Sequence, residues 1–193
     1  MRLFLLFVFS ALLVACPEPE DFTLSIVNDS GEIRYQDGPI VGLRTLEMER
    51  SGEWEFIRSN GAFLCLRTCG EAGPVECAMG DAPFFPPQVH ALLPGDSLDE
   101  TRSGSGWIVT ADLFGECAQK IALEGLLRTT VCHSAEAIFV SDESPVDPPA
   151  ESGLVGDGSE ETTIQDPTCE TFEFELPAEE NIVELVLTDD VSA

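Results

Sequence analysis

The stretch Cys169-Glu-Thr-Phe-Glu-Phe-Glu-Leu176 alternates between polar and apolar side chains. Successive side chains of an extended strand point to opposite faces, so the two phenylalanines and Leu176 share one face, and the threonine and the glutamates that follow it share the other. A second apolar segment, residues 181–188, comes shortly afterwards. The C-terminal part of the chain therefore predicts two strands that cover a hydrophobic core.

The chain before these strands, from residue 22 onward, consists of short β-rich segments separated by turn residues. Residues 22–27 run into the turn cluster Asn28-Asp29-Ser30-Gly31, and residues 40–49 and 54–57 flank the hairpin turn Arg50-Ser51-Gly52-Glu53. Further predicted strands are residues 62–66, 89–93, 98–102, 107–113, 120–123 and 126–132. No segment has the apolar stripe of a three-turn helix.

Short strands at this spacing predict an all-β fold, and more specifically an antiparallel immunoglobulin-like β-sandwich stapled by disulfides. The assignment rests on architecture alone. Antibody domains have the order cysteine, tryptophan, cysteine, whereas here three cysteines precede Trp107, and Trp54 precedes all three.

Residues 141–168 differ from the strand segments around them. They contain eight acidic residues and four prolines, with no aromatic or basic residue. Such a segment buries too little apolar surface to offset the entropy lost on ordering, so we expect it to be mobile. Because core strands follow it, it is a long acidic insertion within the domain and not a terminal tail.

The first sixteen residues have the organisation of an export signal. Arg2 is followed by the apolar residues 3–15, which only Ser10 interrupts, and then by Cys16. The run is shorter than the roughly 20 apolar residues that a transmembrane helix needs. A basic start, a compact apolar middle and a small residue before the cut are typical of a secretory signal peptide.

The end of this signal, Leu13-Val14-Ala15-Cys16, resembles the lipobox of bacterial lipoproteins. The resemblance implies diacylglyceryl transfer to the Cys16 thiol, cleavage after Ala15 and acylation of the new amino group, so the lipid bilayer would be a partner through acylated Cys16. Two or three acyl chains are enough for stable anchoring. Pro17 and not Asp follows the cysteine, which implies that the inner-membrane retention signal of enteric bacteria is absent. The alternative is an ordinary signal peptide with a chance cysteine at the cut site.

These features predict a signal peptide over residues 1–15, an acylated tether over 16–21, and a single β-sandwich domain over 22–193 that includes the flexible acidic insertion 141–168. With a lipobox and cysteine-stapled β-structure, the chain resembles the cell-envelope lipoproteins of Gram-negative bacteria, of the myxobacterial type. The resemblance implies localisation in the cell envelope, at the outer membrane, and implies no particular activity.

The charge of the chain limits its partners. Nine basic residues stand against 36 acidic ones, which gives a formal net charge of −27. Such a charge repels nucleic acid and anionic lipid headgroups. We therefore expect no nucleic-acid partner. The charge favours cationic partners and divalent ions, and an envelope protein is the macromolecular partner that we expect.

Six cysteines remain once the lipobox cysteine is assigned, and an even number in an exported chain predicts three disulfides. They are Cys65, Cys69, Cys77, Cys117, Cys132 and Cys169. The sequence does not fix their connectivity. Local closure favours a bridge from Cys77 to Cys69 or to Cys65. A Cys132–Cys169 bridge would join the two ends of the acidic insertion.

A zinc site built from Cys65, Cys69, Cys77 and His90 is the competing prediction for three of these cysteines. Zinc sites usually have more tightly paired ligands, and an oxidising compartment works against free thiols. We therefore expect no metal site and no cofactor.

Groups of catalytic residues are sparse in this sequence. It contains two histidines, His90 and His133, and we expect both to be structural. Cys132 and His133 are neighbours in a predicted strand and would point to opposite faces. We assign no catalytic residue and expect no enzymatic activity. A cleft that gathers either histidine with carboxylates would favour a hydrolytic enzyme instead.

Two aromatic clusters, Trp54-Glu55-Phe56 and Phe84-Phe85-Pro86-Pro87, are expected to close the ends of the sandwich, with a binding surface as the alternative. The predicted function is a membrane-anchored envelope lipoprotein with a structural or protein-binding role. The alternative is a peptidase-inhibitor or ligand-capture module that uses the loops between strands.

Overall fold

The computed structural model describes residues 19–37, 45–58, 66–71, 89–155 and 161–189. Within these ranges the chain forms strands and one short 3-10 turn, Glu179–Asn181, and no α-helix. No helix in the described ranges is long and apolar enough to cross a membrane. The prediction of an all-β protein is confirmed.

The strands are β1 (Phe22–Asn28), β2 (Arg34–Asp37), β3 (Leu46–Arg50), β4 (Glu53–Ile57), β5 (Val89–Leu92), β6 (Ser97–Arg102), β7 (Ser105–Asp112), β8 (Gly115–Ala122), β9 (Gly125–Ser134), β10 (Ala137–Phe139), β11 (Gly153–Leu154), β12 (Thr162–Ile164), β13 (Thr168–Leu176) and β14 (Ile182–Leu187). Most of the predicted strands lie within these bounds. Residues 40–44 and 62–65 of the predicted strands lie outside the described residues.

Strand β9 is the centre of a seven-stranded sheet. It pairs with β13 along one edge, and along the other with β3 near its start and β2 near its end. The sheet continues from β3 to β4 and from β2 through β5 to β11. The β7–β8 hairpin extends the β4 side, because Arg58 and Trp107 form a bridge directly after β4.

A smaller sheet has the order β14-β1-β6. Strand β6 runs antiparallel to β1, but β14 runs parallel to it, with Leu24 opposite Val183. The prediction of purely antiparallel pairing is therefore wrong for this pair. Because the two strands lie at opposite ends of the chain, no hairpin connects them, and the chain is free to bring them together in the parallel direction.

The main hydrophobic core lies between these two sheets. Both β1 and β14 alternate between buried and more exposed residues, as half-buried strands do. The small sheet contributes Phe22, Leu24, Ile26, Val183, Leu185 and Leu187, and the large sheet contributes Met48, Ile57, Leu92, Leu127, Val131 and Leu176. Ile108 of β7 joins the same cluster, so the outer faces of the two sheets point away from a common core in opposite directions.

The acidic insertion 141–168 is not a mobile stretch in its described part, and that prediction is corrected. Val155 and Ile164 are buried in a second cluster with Tyr35 and Val89, on the other face of the large sheet. Strands β11 and β12 pair with β5 and β10. Val146 packs against the same cluster, and β-pairing satisfies part of the backbone, so these described parts of the segment are ordered despite its composition.

Two disulfides join strands that are distant in sequence. Cys132 is bonded to Cys169, its direct partner across β9 and β13, with 4.0 Å between the Cα atoms; this pairing is as predicted. Cys69 is bonded to Cys117 of β8 and not to Cys77, so the prediction of local closure is wrong for Cys69. The physical reason is that the backbone of residues 67–69 runs beside β8, where Cys69 N–H donates to Ala118 O at 3.0 Å.

Candidate functional site

The predicted site residues fall into two groups. The lipidation residue Cys16, together with Cys65 and Cys77, lies outside the described residues, as does the aromatic cluster 84–87. The other four cysteines form the two disulfides just described.

The two histidines lie in one row across the large sheet. His90 of β5 is opposite Gln36 of β2, and Gln36 is opposite His133 of β9. His133 is 2% exposed, and its Nε2 atom lies 2.7 Å from Glu170 Oε1 of β13.

His133 also lines a cleft of about 340 Å³ at the end of β9, together with Arg34, Glu136 and Asp166. This is a histidine beside carboxylates, the arrangement that would favour a hydrolytic enzyme. However, the Nδ1 atom of His133 is buried and makes no hydrogen bond among the described residues. The neighbouring Ser134 belongs to the opposite face of β9, and its hydroxyl accepts the Glu136 N–H. Ser134 and Thr168 also line the cleft, and neither hydroxyl is hydrogen-bonded to His133 among the described residues.

The feature that sequence analysis missed is the tip of the β7–β8 hairpin. Leu113 is 98% exposed and Phe114 is 67% exposed, and they form the two-residue loop between Asp112 and Gly115. Gly115 has φ of +105°, a conformation that side-chain-bearing residues rarely adopt. Two large apolar side chains at the end of a protruding hairpin are unusual, because burying them on contact would recover about 1.5–3 kcal/mol each.

Arg67 and Asp112 hold this tip in place. The Arg67 guanidinium donates to both carboxylate oxygens of Asp112 and, at 3.0 Å, to Gly115 O. The Asp112 carboxylate also accepts the N–H groups of Gly70 at 3.1 Å and Phe114 at 2.7 Å. The Arg67 guanidinium lies 5.5 Å from the centre of the Phe114 ring. With the Cys69–Cys117 bridge beside them, these contacts fix the loop before any partner arrives.

The Asp112 contacts predict a pH-dependent stability of the hairpin. The hydrogen bonds from the Arg67 guanidinium and then from Phe114 N–H hold the pKa of Asp112 far below its ordinary value. A lowered folded-state pKa stabilises the fold fully above the ordinary aspartate range, and the contribution is lost as pH falls through the folded pKa. Asp112→Asn should therefore lower the unfolding midpoint at about pH 7, and the deficit should shrink as pH falls below about 4.

Denaturant titrations of Asp112→Asn at several pH values check this expectation. Glu116→Gln is the matched control, because Glu116 lies on the same hairpin and makes no ion pair in the described ranges. A deficit of Asp112→Asn that is as large at low pH as at neutral pH would contradict the assignment.

The aromatic cluster of β4 does not close an end of the sandwich, and this prediction is corrected. Ile57 is buried in the core, so Trp54 and Phe56 lie on the outer face of the sheet, where Phe56 is 47% exposed. The Arg128 guanidinium lies 4.3 Å from the Trp54 ring centre, and that of Arg58 lies 5.7 Å from the Phe56 ring centre. The binding-surface alternative is the one that this arrangement favours.

Comparison of the chain with protein-family models, curated proteins and solved structures found no match. Within the described residues, no group of three or more histidine, cysteine, aspartate or glutamate side chains is placed to hold a metal ion.

Proposed function

We propose that the chain is a lipid-anchored, non-enzymatic protein of the Gram-negative cell envelope that binds another protein through the tip of its β7–β8 hairpin. The anchor part of the proposal is supported by the lipobox-like residues 13–16 at the end of a short apolar run. The binding part is supported by one observation, the exposure of Leu113 and Phe114 on a loop that is held rigid.

A rigid apolar tip suits insertion into a partner's pocket. Binding costs free energy whenever flexible side chains and loops must be ordered, and a loop that is already fixed avoids much of this cost. Binding energy is concentrated in a few large side chains that enter desolvated pockets. The exposed Glu71 and Glu116 lie near Arg67 and Asp112 at the base of the tip, so a pocket with a basic rim would be complementary.

The non-enzymatic role is supported by the burial of His133. A general base has to come within hydrogen-bond reach of the proton that it removes, and the Nδ1 atom of His133 is covered by protein. Its bond to Glu170 instead joins β9 to β13. This geometry supports a structural role for His133, one that needs no substrate.

The immunoglobulin-like form of the sandwich belongs to the same proposal. It is supported by the core that two sheets share and by the exposed hairpin turns at the ends of the strands. In immunoglobulin-like domains such turns are the usual binding elements, because the sheets beneath them are rigid.

A photo-crosslinking amino acid placed at position 113 in the acylated chain tests the binding role in intact cells. We expect a discrete crosslinked product that disappears when Phe114→Ser is added, because the tip then loses its larger apolar side chain. A peptidase in that product would identify the inhibitor form of the proposal.

The same amino acid placed at Val140, which is 42% exposed on the turn after β10, is the matched control. Crosslinks that are absent at position 113, or identical from positions 113 and 140, would overturn the proposal. Circular dichroism of each variant shows whether the fold is retained.

A further inference from the structure

The outer face of the β4–β7–β8 region carries a concentration of aromatic and basic side chains. Arg58, Trp107 and Lys120 are successive partners across β4, β7 and β8 and form one row. Phe56 lies two residues before Arg58, and Val109 lies two residues after Trp107, so both are on the same face as the row. Phe56 is 47% exposed and Val109 is 45% exposed. We name these five residues the basic face.

The two cations of the basic face are not neutralised. Arg58 and Lys120 are both exposed, and neither forms an ion pair with any residue in the described ranges. The chain has four acidic residues for every basic one, so two cations on either side of a tryptophan, without an ion pair in the described ranges, are unexpected. Tryptophan, arginine and partly exposed apolar side chains together are typical of protein interfaces.

The outer face of the small sheet has the opposite character. Ile182 and Val186 of β14 are 46% and 39% exposed, and Glu184 lies between them. Ser25 of β1 is opposite Glu184 on one side and Asp99 of β6 on the other, so both carboxylates lie in one row. No basic residue lies on the outward face of these three strands. We name Asp99, Ile182, Glu184 and Val186 the acidic face.

These two faces lie on opposite sides of the molecule, because the sheets that carry them share the core between them. Each combines two half-exposed apolar side chains with two like charges, and the charges of one are opposite to those of the other. We infer that the basic face of one copy docks on the acidic face of a second copy. The contact is heterologous, so each copy keeps one face free for a further copy, and the assembly grows as a row.

The charge of the whole chain opposes this association but does not prevent it. Two copies of net charge −27 repel each other at a distance. At physiological ionic strength the screening length is about 8 Å, so acids far from the contact are screened, while the charges that meet across it are not. All nine basic residues occur at or before residue 128, and 17 acidic residues follow.

Charge reversal of the mature chain carrying Cys16→Ser, which removes the acylation site, tests the inference. One variant carries Arg58→Glu and Lys120→Glu, and the other carries Asp99→Lys and Glu184→Lys. Sedimentation velocity of the parent chain, up to about 1 mM, should show a mass that rises with concentration beyond a dimer. Each variant alone should be monomeric, because its two outer faces now have the same sign. An equimolar mixture should associate again, since each copy meets a face of opposite charge.

Glu151→Lys is the matched control, because Glu151 is exposed and lies on neither face. It should associate as the parent does. A parent that is monomeric at all concentrations, or a mixture of variants that stays monomeric while both are folded by circular dichroism, would overturn the inference. A parent that stops at a dimer would also overturn it, because a closed dimer does not use two different faces. The hairpin tip takes no part in this contact, so failure here leaves the proposed binding role intact.

Discussion

Replacing Cys132 and Cys169 together by serine should lower the free energy of unfolding by about 4 kcal/mol. The bridge closes a loop over a sequence separation of 37 residues, which includes the whole acidic insertion. In the chain-entropy account, a disulfide that closes a loop of this length restricts the unfolded chain far more than the folded state. In the folded state the β9–β13 pairing already holds the two strands together. Denaturant titration under non-reducing conditions measures the loss, and the m-value should rise because the unfolded chain is less compact.

The next pair on the same face of the same strands provides the control. Thr130 and Thr171 are also direct partners, with their hydroxyl oxygens 3.1 Å apart. Replacing both by alanine removes a cross-strand contact without opening a covalent loop, and should cost only about 0.2–1 kcal/mol. If both double variants lose the same stability, the bridge does not act through the unfolded chain.

Cys16→Ser should move the protein completely from the membrane fraction to the soluble fraction while its domain remains folded. The expectation rests on the lipobox resemblance, in which the Cys16 thiol receives the diacylglyceryl group. Acyl chains contribute about 0.8 kcal/mol of anchoring free energy for each methylene buried in the bilayer, and the variant has no acyl chains. Cell fractionation measures the distribution, and proteolytic resistance of the soluble form shows whether the fold is intact.

Pro17→Asp is the matched control in an enteric host. It leaves the acylated cysteine in place, so the protein should stay membrane-bound. It also places an aspartate directly after that cysteine, which is the inner-membrane retention signal of enteric bacteria. We expect it to move from the outer to the inner membrane. Membrane association of Cys16→Ser equal to that of the native chain would contradict the anchor.

Strands whose side chains alternate cleanly could be predicted from sequence. The patterns at residues 22–27 and 169–176 correspond to β1 and β13 within a residue or two, because one face of each strand is less exposed than the other and period-two alternation records that difference. The order of residues 153–155 and 162–164 could not be predicted. Val155 and Ile164 are ordered by contacts with β2 and β5, which are distant in sequence, and composition contains no information about such contacts.

The candidate sites were harder to predict for a related reason. Trp54 and Phe56 alternate with Glu55 and Ile57, so the pattern does not say which pair faces the core. Leu113 and Phe114 follow the β-rich segment of β7 closely, so the sequence predicts a strand that continues to Leu113. The signal that could have located the tip is the spacing of Asp112 and Gly115, since aspartate at the first position and glycine at the fourth favour a type I turn.

The pairing of β1 with β14 makes one strand depend on another that is synthesised much later. Residues 182–187 leave the ribosome only when the rest of the domain has already been made, and until then β1 has β6 on one edge and nothing from β14 on the other. Contacts between chain ends form slowly because a long loop must close first. Translation that stops short of residue 182 thus yields a chain whose small sheet is incomplete and whose core is open on one side.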